Sequence, residues 1–346
     1  MAKRRTVSIR DVARESHASL TTVSLVLNRR EGRISEETRN RVIKTADRLG
    51  YRPSRLAQGL QSQKSGLLAI LVPQIRHAFA DVYFGELISA IQETAAGRYQ
   101  YKVLLEVANQ DYIETKQYLE LFHRHYIDGL LCLGVTNRDT YLRDFDHGRH
   151  PMLVVNNYLE DIKLNNVLCD YQQAGRLAGE HLVDLGHRKI ALIYGATEVQ
   201  TTADLRKGFE AALNRAKIKL PKKHTNDGLY TEEGGAVAAA ALMKLDPSIT
   251  AILAGNDKMA IGAISGLKSL GLRVPDDVSV VGCDDMHQAE FCDPPLTTVH
   301  TPLYEVGQRA CECLMELING QRDTLSEVHP VTMTIRKSTA PPKTTG

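Results

Sequence analysis

Apolar residues recur at three-and-four spacing over the first fifty positions and in unbroken runs afterwards. The early pattern predicts three short helices. Ile9, Val12 and Ala13 share one face of the first, which Ser8 and Asp11 open as a capping box and which ends near Ser16, with a break at His17-Ala18. Ser19 caps a second helix through Leu27, with Leu20, Val23 and Leu27 on one side and small polar residues outward. Ser35, followed by Glu36 and Glu37, opens a third, which carries Val42, Ile43, Ala46 and Leu49 and meets Gly50 at its carboxyl end.

Beyond the polar stretch Gln61 to Gly66 the period changes. LLAILV (67–72), YKVLLEV (101–107), GLLCLG (129–134) and MLVVN (152–156) alternate with amphipathic segments, as strands of a buried parallel sheet do. NVLCD (166–170), KIALIYG (189–195), TAILAG (250–255) and VSVVG (278–282) repeat the arrangement and predict a second sheet. Two similar α/β lobes then enclose a cleft.

Composition adds an asymmetry. The 346 residues are 43% hydrophobic and 24% charged, ordinary for a globular protein. Residues 1–64 hold 15 Lys and Arg against 6 Asp and Glu, leaving 28 against 35 for the remainder. A basic end on an acidic body directs nucleic acid to the small unit alone. No run approaches the roughly 20 apolar residues of a membrane span, and no signal-peptide core follows the basic start, so a cytoplasmic location is expected. Cys132, Cys169, Cys283, Cys292, Cys311 and Cys313 have no framework spacing and are expected to be reduced, mostly buried thiols.

Catalytic signatures are missing. No phosphate-cradling glycine motif sits at a strand-to-helix turn and no H-E-x-x-H occurs; His123 and His125, two apart on a helix, fall on different faces. Neither an enzyme, nor a cofactor, nor a metal site is expected. Asp284 and Asp285 are adjacent but need not converge on one bond.

A helix pair whose second member starts in small hydrogen-bonding residues suits the major groove, where its first turn meets base edges. A generic three-helix bundle has the same periodicity; the basic charge separates the two. SIRDVARESHASLTTVSLVLN, then ISEETRNRVIKTADRLGYRPSRLAQGL, resembles the headpiece and hinge of the lac repressor/gal repressor family of bacterial transcription regulators. The resemblance implies that Leu20, Thr21 and Leu25 face bases and that Thr22, Ser24 and Asn28 lie nearer phosphates, with Ser8 and Ser35 also among the DNA-facing residues. It implies a hinge helix in which Leu60 wedges a base step and Ala57 lets two hinge helices of a dimer approach. Leu25 stands where the family commonly has arginine and favours a thymine methyl over guanine. His17 replaces the common turn glycine.

In open α/β sheets ligands sit beyond the carboxyl ends of the strands. Asn156, Asn256 and Asp284 follow such runs and Arg206 begins a helical turn; these groups suit vicinal hydroxyls, although Asn and Asp there also serve as helix caps and a lone Arg as a surface ion pair. LVDLGHRKIALI, LRKGFEAAL, AGNDKMAIGA and VSVVGCDDM are similar to effector-domain motifs of the same family. Under that resemblance Asn156, Arg206, Asn256 and Asp284 hydrogen-bond the effector, a sugar or sugar derivative, and Phe84 and Tyr230 supply apolar faces. RHAFADVYFGEL is longer than usual at its place.

The implied architecture is a small all-α helix-turn-helix headpiece (1–53), a hinge and linker (54–65), and a two-lobed periplasmic-binding-protein-like body with two parallel sheets. Lobe one takes 66–166 and 297–327, lobe two 167–296 and 328–346, with crossings near 164–168, 295–299 and 325–329; the helix after Pro302 returns to lobe one and a final strand near Val331 to Ile335 to lobe two. The implied function is a homodimeric regulator, a repressor, that binds a palindromic double-stranded DNA operator under effector control. A cytoplasmic sugar-binding protein or sugar-processing enzyme is the rival, and leaves the headpiece without a purpose.

Overall fold

The computed structural model describes residues 7–27, 34–52, 64–74, 81–146 and 148–343. The chain divides into two compact units, Met1–Gly66 and Leu67–Gly346.

In the first unit α1 (Ile9–Glu15), α2 (Leu20–Leu27) and α3 (Glu36–Leu49) follow their caps closely. The Asp11 carboxylate accepts the Ser8 backbone N–H at 3.0 Å, closing the capping box; the Thr22 N–H donates to Ser19 Oγ at 3.0 Å and the Thr38 N–H to Ser35 Oγ at 3.3 Å. Gly50 is left-handed at φ 68°, and His17 takes the turn at φ 49°. The core is Val12, Ala13, Val23, Val26, Val42 and Ala46. Two expectations shift: Leu20 and Ile43 are exposed, and Val26 takes the core place on α2, because three helices leave each a buried stripe narrower than its apolar face.

The second unit has two six-stranded sheets. Strands are β1 (Leu67–Pro73), β2 (Lys102–Ala108), β3 (Gly129–Leu133), β4 (Met152–Val155), β5 (Asn166–Cys169), β6 (Ile190–Tyr194), β7 (Thr225–Asp227), β8 (Ala251–Ala254), β9 (Ser279–Asp284), β10 (Thr297–His300), β11 (Ser326–His329) and β12 (Thr332–Thr334). Their orders are β11-β5-β4-β3-β1-β2 and β12-β10-β9-β8-β6-β7, parallel throughout except for β12 against β10. The helices that build the cleft are α4 (Val82–Tyr99), α7 (Tyr171–Asp184), α8 (Gln200–Arg215) and α10 (Asp257–Ser269); α5 (Gln110–Glu114), α6 (Gln117–His123), α9 (Glu232–Leu245), α11 (His287–Phe291) and α12 (Leu303–Ile318) complete the order.

The predicted lobe boundaries need correction. NVLCD, expected to open the second sheet, is β5 of the first, between β4 and β11. Thr297–His300, expected on the way back to lobe one, is β10 of the second sheet. Apolar runs announce strands but not partners: Asn165 Oδ1 accepts the Leu325 N–H at 2.9 Å, tying β5 to β11 in the first sheet, and Ser338 Oγ accepts the Thr297 N–H at 2.8 Å, tying β10 to the chain beyond β12 in the second. The chain therefore crosses at 170–171, 301–302 and 330–331. The helix after Pro302 does pack on lobe one and the last strand does join lobe two.

All six cysteines are free, five of them buried and Cys292 half-buried. Among the described residues no helix is long and apolar enough to cross a membrane, and no cluster of three or more His, Cys, Asp or Glu could hold a metal ion.

Candidate ligand cleft and nucleic-acid interface

Beyond the carboxyl ends of both sheets lies a cavity of about 350 Å³, within the range of small-molecule sites. Its backbone is strained where strands end. Asn156 (φ 53°), Leu229 (φ 53°), Tyr230 (φ 56°) and Asp284 (φ 115°) all line it with left-handed backbones that cost about 1–3 kcal/mol each. Such strain persists where the surroundings over-determine it, and here hydrogen bonds do so.

Asn156 Nδ2 donates to the phenols of Tyr83 at 2.9 Å and Tyr171 at 3.1 Å, and its Oδ1 accepts the Cys169 N–H at 2.8 Å. Tyr171 then donates to Asp284 Oδ1 at 3.4 Å, which also receives Thr301 Oγ1 at 3.4 Å. The chain of contacts thus runs from lobe one through the crossings at 170–171 and 301–302 to the floor of lobe two. Burial, reinforced by the nearby Asp257, pushes the Asp284 carboxyl well above the carboxylate range, so it serves as a neutral group. Burial likewise raises the phenols of Tyr83 and Tyr171, keeping both as hydrogen donors.

Behind Asp284, Asp257 accepts Thr298 Oγ1 at 2.5 Å and the Met286 N–H at 2.6 Å; burial still pushes its carboxyl up to about 7. Asp285 faces away from the cleft, where Arg336 at 2.7 Å and His300 at 3.2 Å pair with it. The adjacent aspartates therefore do not form a catalytic dyad.

Of the six residues predicted for the effector, five line the cavity: Phe84, Asn156, Tyr230, Asn256 and Asp284. Phe84 stands edge-on to Tyr83 at 5.3 Å, and the Tyr230 ring lies against Gly195, where a Cβ would come within 2.1 Å of it, while its hydroxyl bonds Thr202. Asn256 is also the cap of α10, accepting the Met259 N–H at 2.9 Å. Arg206 is not in the cleft: its Nε pairs with Glu210 at 2.7 Å and the side chain is 40% exposed. Leu205 takes the cleft position instead. Gly208 is pressed on α7, with a hypothetical Cβ only 1.8 Å from the Gln172 carbonyl, and this contact sets the rotation of α8. One residue along a helix is about 100° around it, enough to turn Arg206 outward.

Sequence reasoning missed Tyr83, Tyr171, Thr202, Asp81 and Lys258. The last two form an ion pair across the lobes at 2.9 Å. Tyr83 and Lys258 lie beside predicted residues, whereas nothing local marks Tyr171 as more than the start of a helix.

On the headpiece, Leu20 and Thr21 are exposed at the start of α2, and Ser24 and Leu25 are half-buried. Thr22 Oγ1 lies 2.9 Å from Ser19 Oγ, while Ser8 and Ser35 act as caps. The α2 sequence LTTVSLVL has no charged residue, so its surface offers hydroxyl and apolar groups alone. Asn28, Ala57 and Leu60 lie outside the described residues.

Cleft, sheets and headpiece together define a helix-turn-helix protein with a periplasmic-binding-protein-like ligand body. Residues 8–54 match the family model "Bacterial regulatory proteins, lacI family", and residues 180–339 the periplasmic binding protein-like domain. The chain is 33% identical over 316 residues to the HTH-type transcriptional repressor CytR of Escherichia coli (strain K12), covering 91% of this chain and 90% of that protein. It is similar to the lac repressor dimer bound to operator and the anti-inducer ONPF, with a TM-score of 0.85, 27% identity and coverage of 97% of this chain and 100% of that one. The transcriptional regulator CelR-cellobiose complex is also similar, with a TM-score of 0.74, 25% identity and coverage of 96% and 100%. The chain belongs to the lacI family of bacterial regulatory proteins, whose members named here are transcriptional regulators rather than enzymes.

Proposed function

We propose that this chain is a ligand-responsive repressor that binds a palindromic operator as a homodimer, one headpiece per half-site, under control of a sugar-type effector in the cleft. The observation that carries the reading is the hydrogen-bonded series Tyr83, Asn156, Tyr171, Asp284 and Thr301, which ties cleft residues of both lobes to two of the three crossings. A ligand that favours one lobe arrangement acts on the segments through which the lobes move, and coupling to DNA follows if operator affinity differs between arrangements. The relatives bound to operator with ONPF and to cellobiose support both halves of the reading.

Leu20, Thr21 and Leu25 read base edges, Thr22, Ser24 and Asn28 approach phosphates, and Leu60 wedges a minor-groove step with Ala57 at the hinge-pair contact. Selection of duplexes from a random pool, repeated with a panel of sugars, tests the whole. The expected result is an inverted repeat whose affinity falls steeply with salt and changes with at least one sugar. An unchanged operator affinity across the panel would remove the sugar assignment; a lack of any selected site would remove the DNA assignment. Leu60→Ala is expected to weaken the selected site far more than random DNA.

A further inference from the structure

Four helices begin on the cleft, and three of them carry a polar or acidic side-chain cap at the positive end. Asp81 caps α4, accepting the Tyr83 N–H at 2.9 Å, and Asp170 caps α7. Glu198 stands immediately before the cap of α8, and Asn256 with Asp257 occupies the start of α10. Three of the four helix ends that could have attracted an anion are therefore already served by a side-chain cap, and the acid next to the fourth, Glu198, is paired with Arg138.

The side chains point the same way. Among the described lining residues Lys258 is the one cation, and Asp81 from the opposite lobe holds it at 2.9 Å. Glu198 adds a second acid at the rim, where Arg138, largely in solvent, approaches at 3.0 Å. Leu205 occupies the place where an arginine was expected. Phe84, Val135, Leu205, Leu229 and Tyr230 make the rest of the wall largely apolar.

We infer that the cleft takes an uncharged ligand with an apolar face and shuts out phosphorylated ones, with Asp81 and Glu198 imposing the discrimination. The inference rests on the cleft being the effector site and specifies the effector's charge. A phosphate would have to displace Asp81 from Lys258, and Glu198 likewise holds Arg138, so neither positive charge is free to receive it. The polar edge of the ligand meets neutral groups instead: the Asp284 carboxyl, Thr202 and the Tyr230 hydroxyl.

The test uses selenate, a tetrahedral dianion located by its anomalous signal, soaked into crystals of the full chain and of the double variant Asp81→Asn, Glu198→Gln. Asparagine is as good a helix cap as aspartate, so α4 is retained. The expected result is a cleft without selenate in the wild type and selenate beside Lys258 in the variant. Selenate in the wild-type cleft overturns the inference. Selenate in neither overturns the assignment of exclusion to these two carboxylates. The sugar panel with operator DNA is a separate readout: if no sugar acts there, the effector reading fails whatever the anion does.

Discussion

The side-chain amide of Asn156, at the end of β4, donates to the phenol of Tyr171, the first residue of α7, at 3.1 Å. The two residues stand on either side of the first crossing between lobes. Asn156 has both amide hydrogens committed to tyrosines, so its role is to hold the cleft rather than only to meet a ligand. Tyr171→Phe leaves Asn156 and Asp284 each short of one partner in a buried place. It is expected to cost about 1–3 kcal/mol in urea unfolding and to reduce the ligand-induced change in operator affinity. Unaltered coupling in that variant would show that the crossing does not transmit the signal through this contact.

Arg206 and Leu205 make a paired prediction. Arg206→Ala removes a partly exposed i,i+4 ion pair and is expected to change ligand affinity by less than about twofold and stability by less than about 1 kcal/mol. Leu205→Ala removes an apolar wall and is expected to weaken an apolar-faced ligand about tenfold, as read by titration calorimetry.

The contact of α7 and α8 has no room for a side chain at Gly208. Gly208→Ala forces a methyl against the Gln172 carbonyl and is expected to destabilise the body by about 3 kcal/mol or more. A calorimetric melting curve decides this; a variant as stable as the parent would mean that the helices separate freely.

Asp257 predicts a pH dependence. Its folded value of about 7 lies above an unfolded value near 3.9, so the folded chain holds the extra proton between the two. Its contribution to stability therefore falls as pH rises from about 4 to about 7 and is flat above. Asp257→Asn can keep both contacts, accepting the Met286 N–H and donating to Thr298. Urea midpoints across that range are expected to show a shallower decline than in the parent, by at most about 4 kcal/mol in total.

On DNA, Leu25→Arg is expected to shift one selected base per half-site towards guanine. The preference should amount to about 1–3 kcal/mol, measured by competition between paired duplexes. A selection profile identical to the parent's would place residue 25 away from the bases.

The helices of the headpiece were legible in the sequence because their determinants are local. A serine three residues before its carboxylate, a glycine at a left-handed end and a repeat of three and four act within one or two turns. Strands with a continuous apolar run were legible for the same reason, although Leu104 and Leu105 of β2 are exposed rather than buried, and β7, β10 and β11, which carry no such run, were not. The match of motif to family likewise needed only contiguous residues.

Sheet membership, helix rotation and the charge of the cleft were decided by contacts between distant positions. Nothing within NVLCD tells whether Asn166 will meet Val154 or the second sheet, since any exposed parallel edge can accept its backbone. Leu205 rather than Arg206 enters the cleft because Gly208 must touch Gln172, and Lys258 is neutralised because the lobes bring Asp81 beside it. Local propensity specifies which segments become helices or strands; only the packed chain specifies which side chains face each other, because that depends on hydrogen bonds and close contacts made across long separations in sequence.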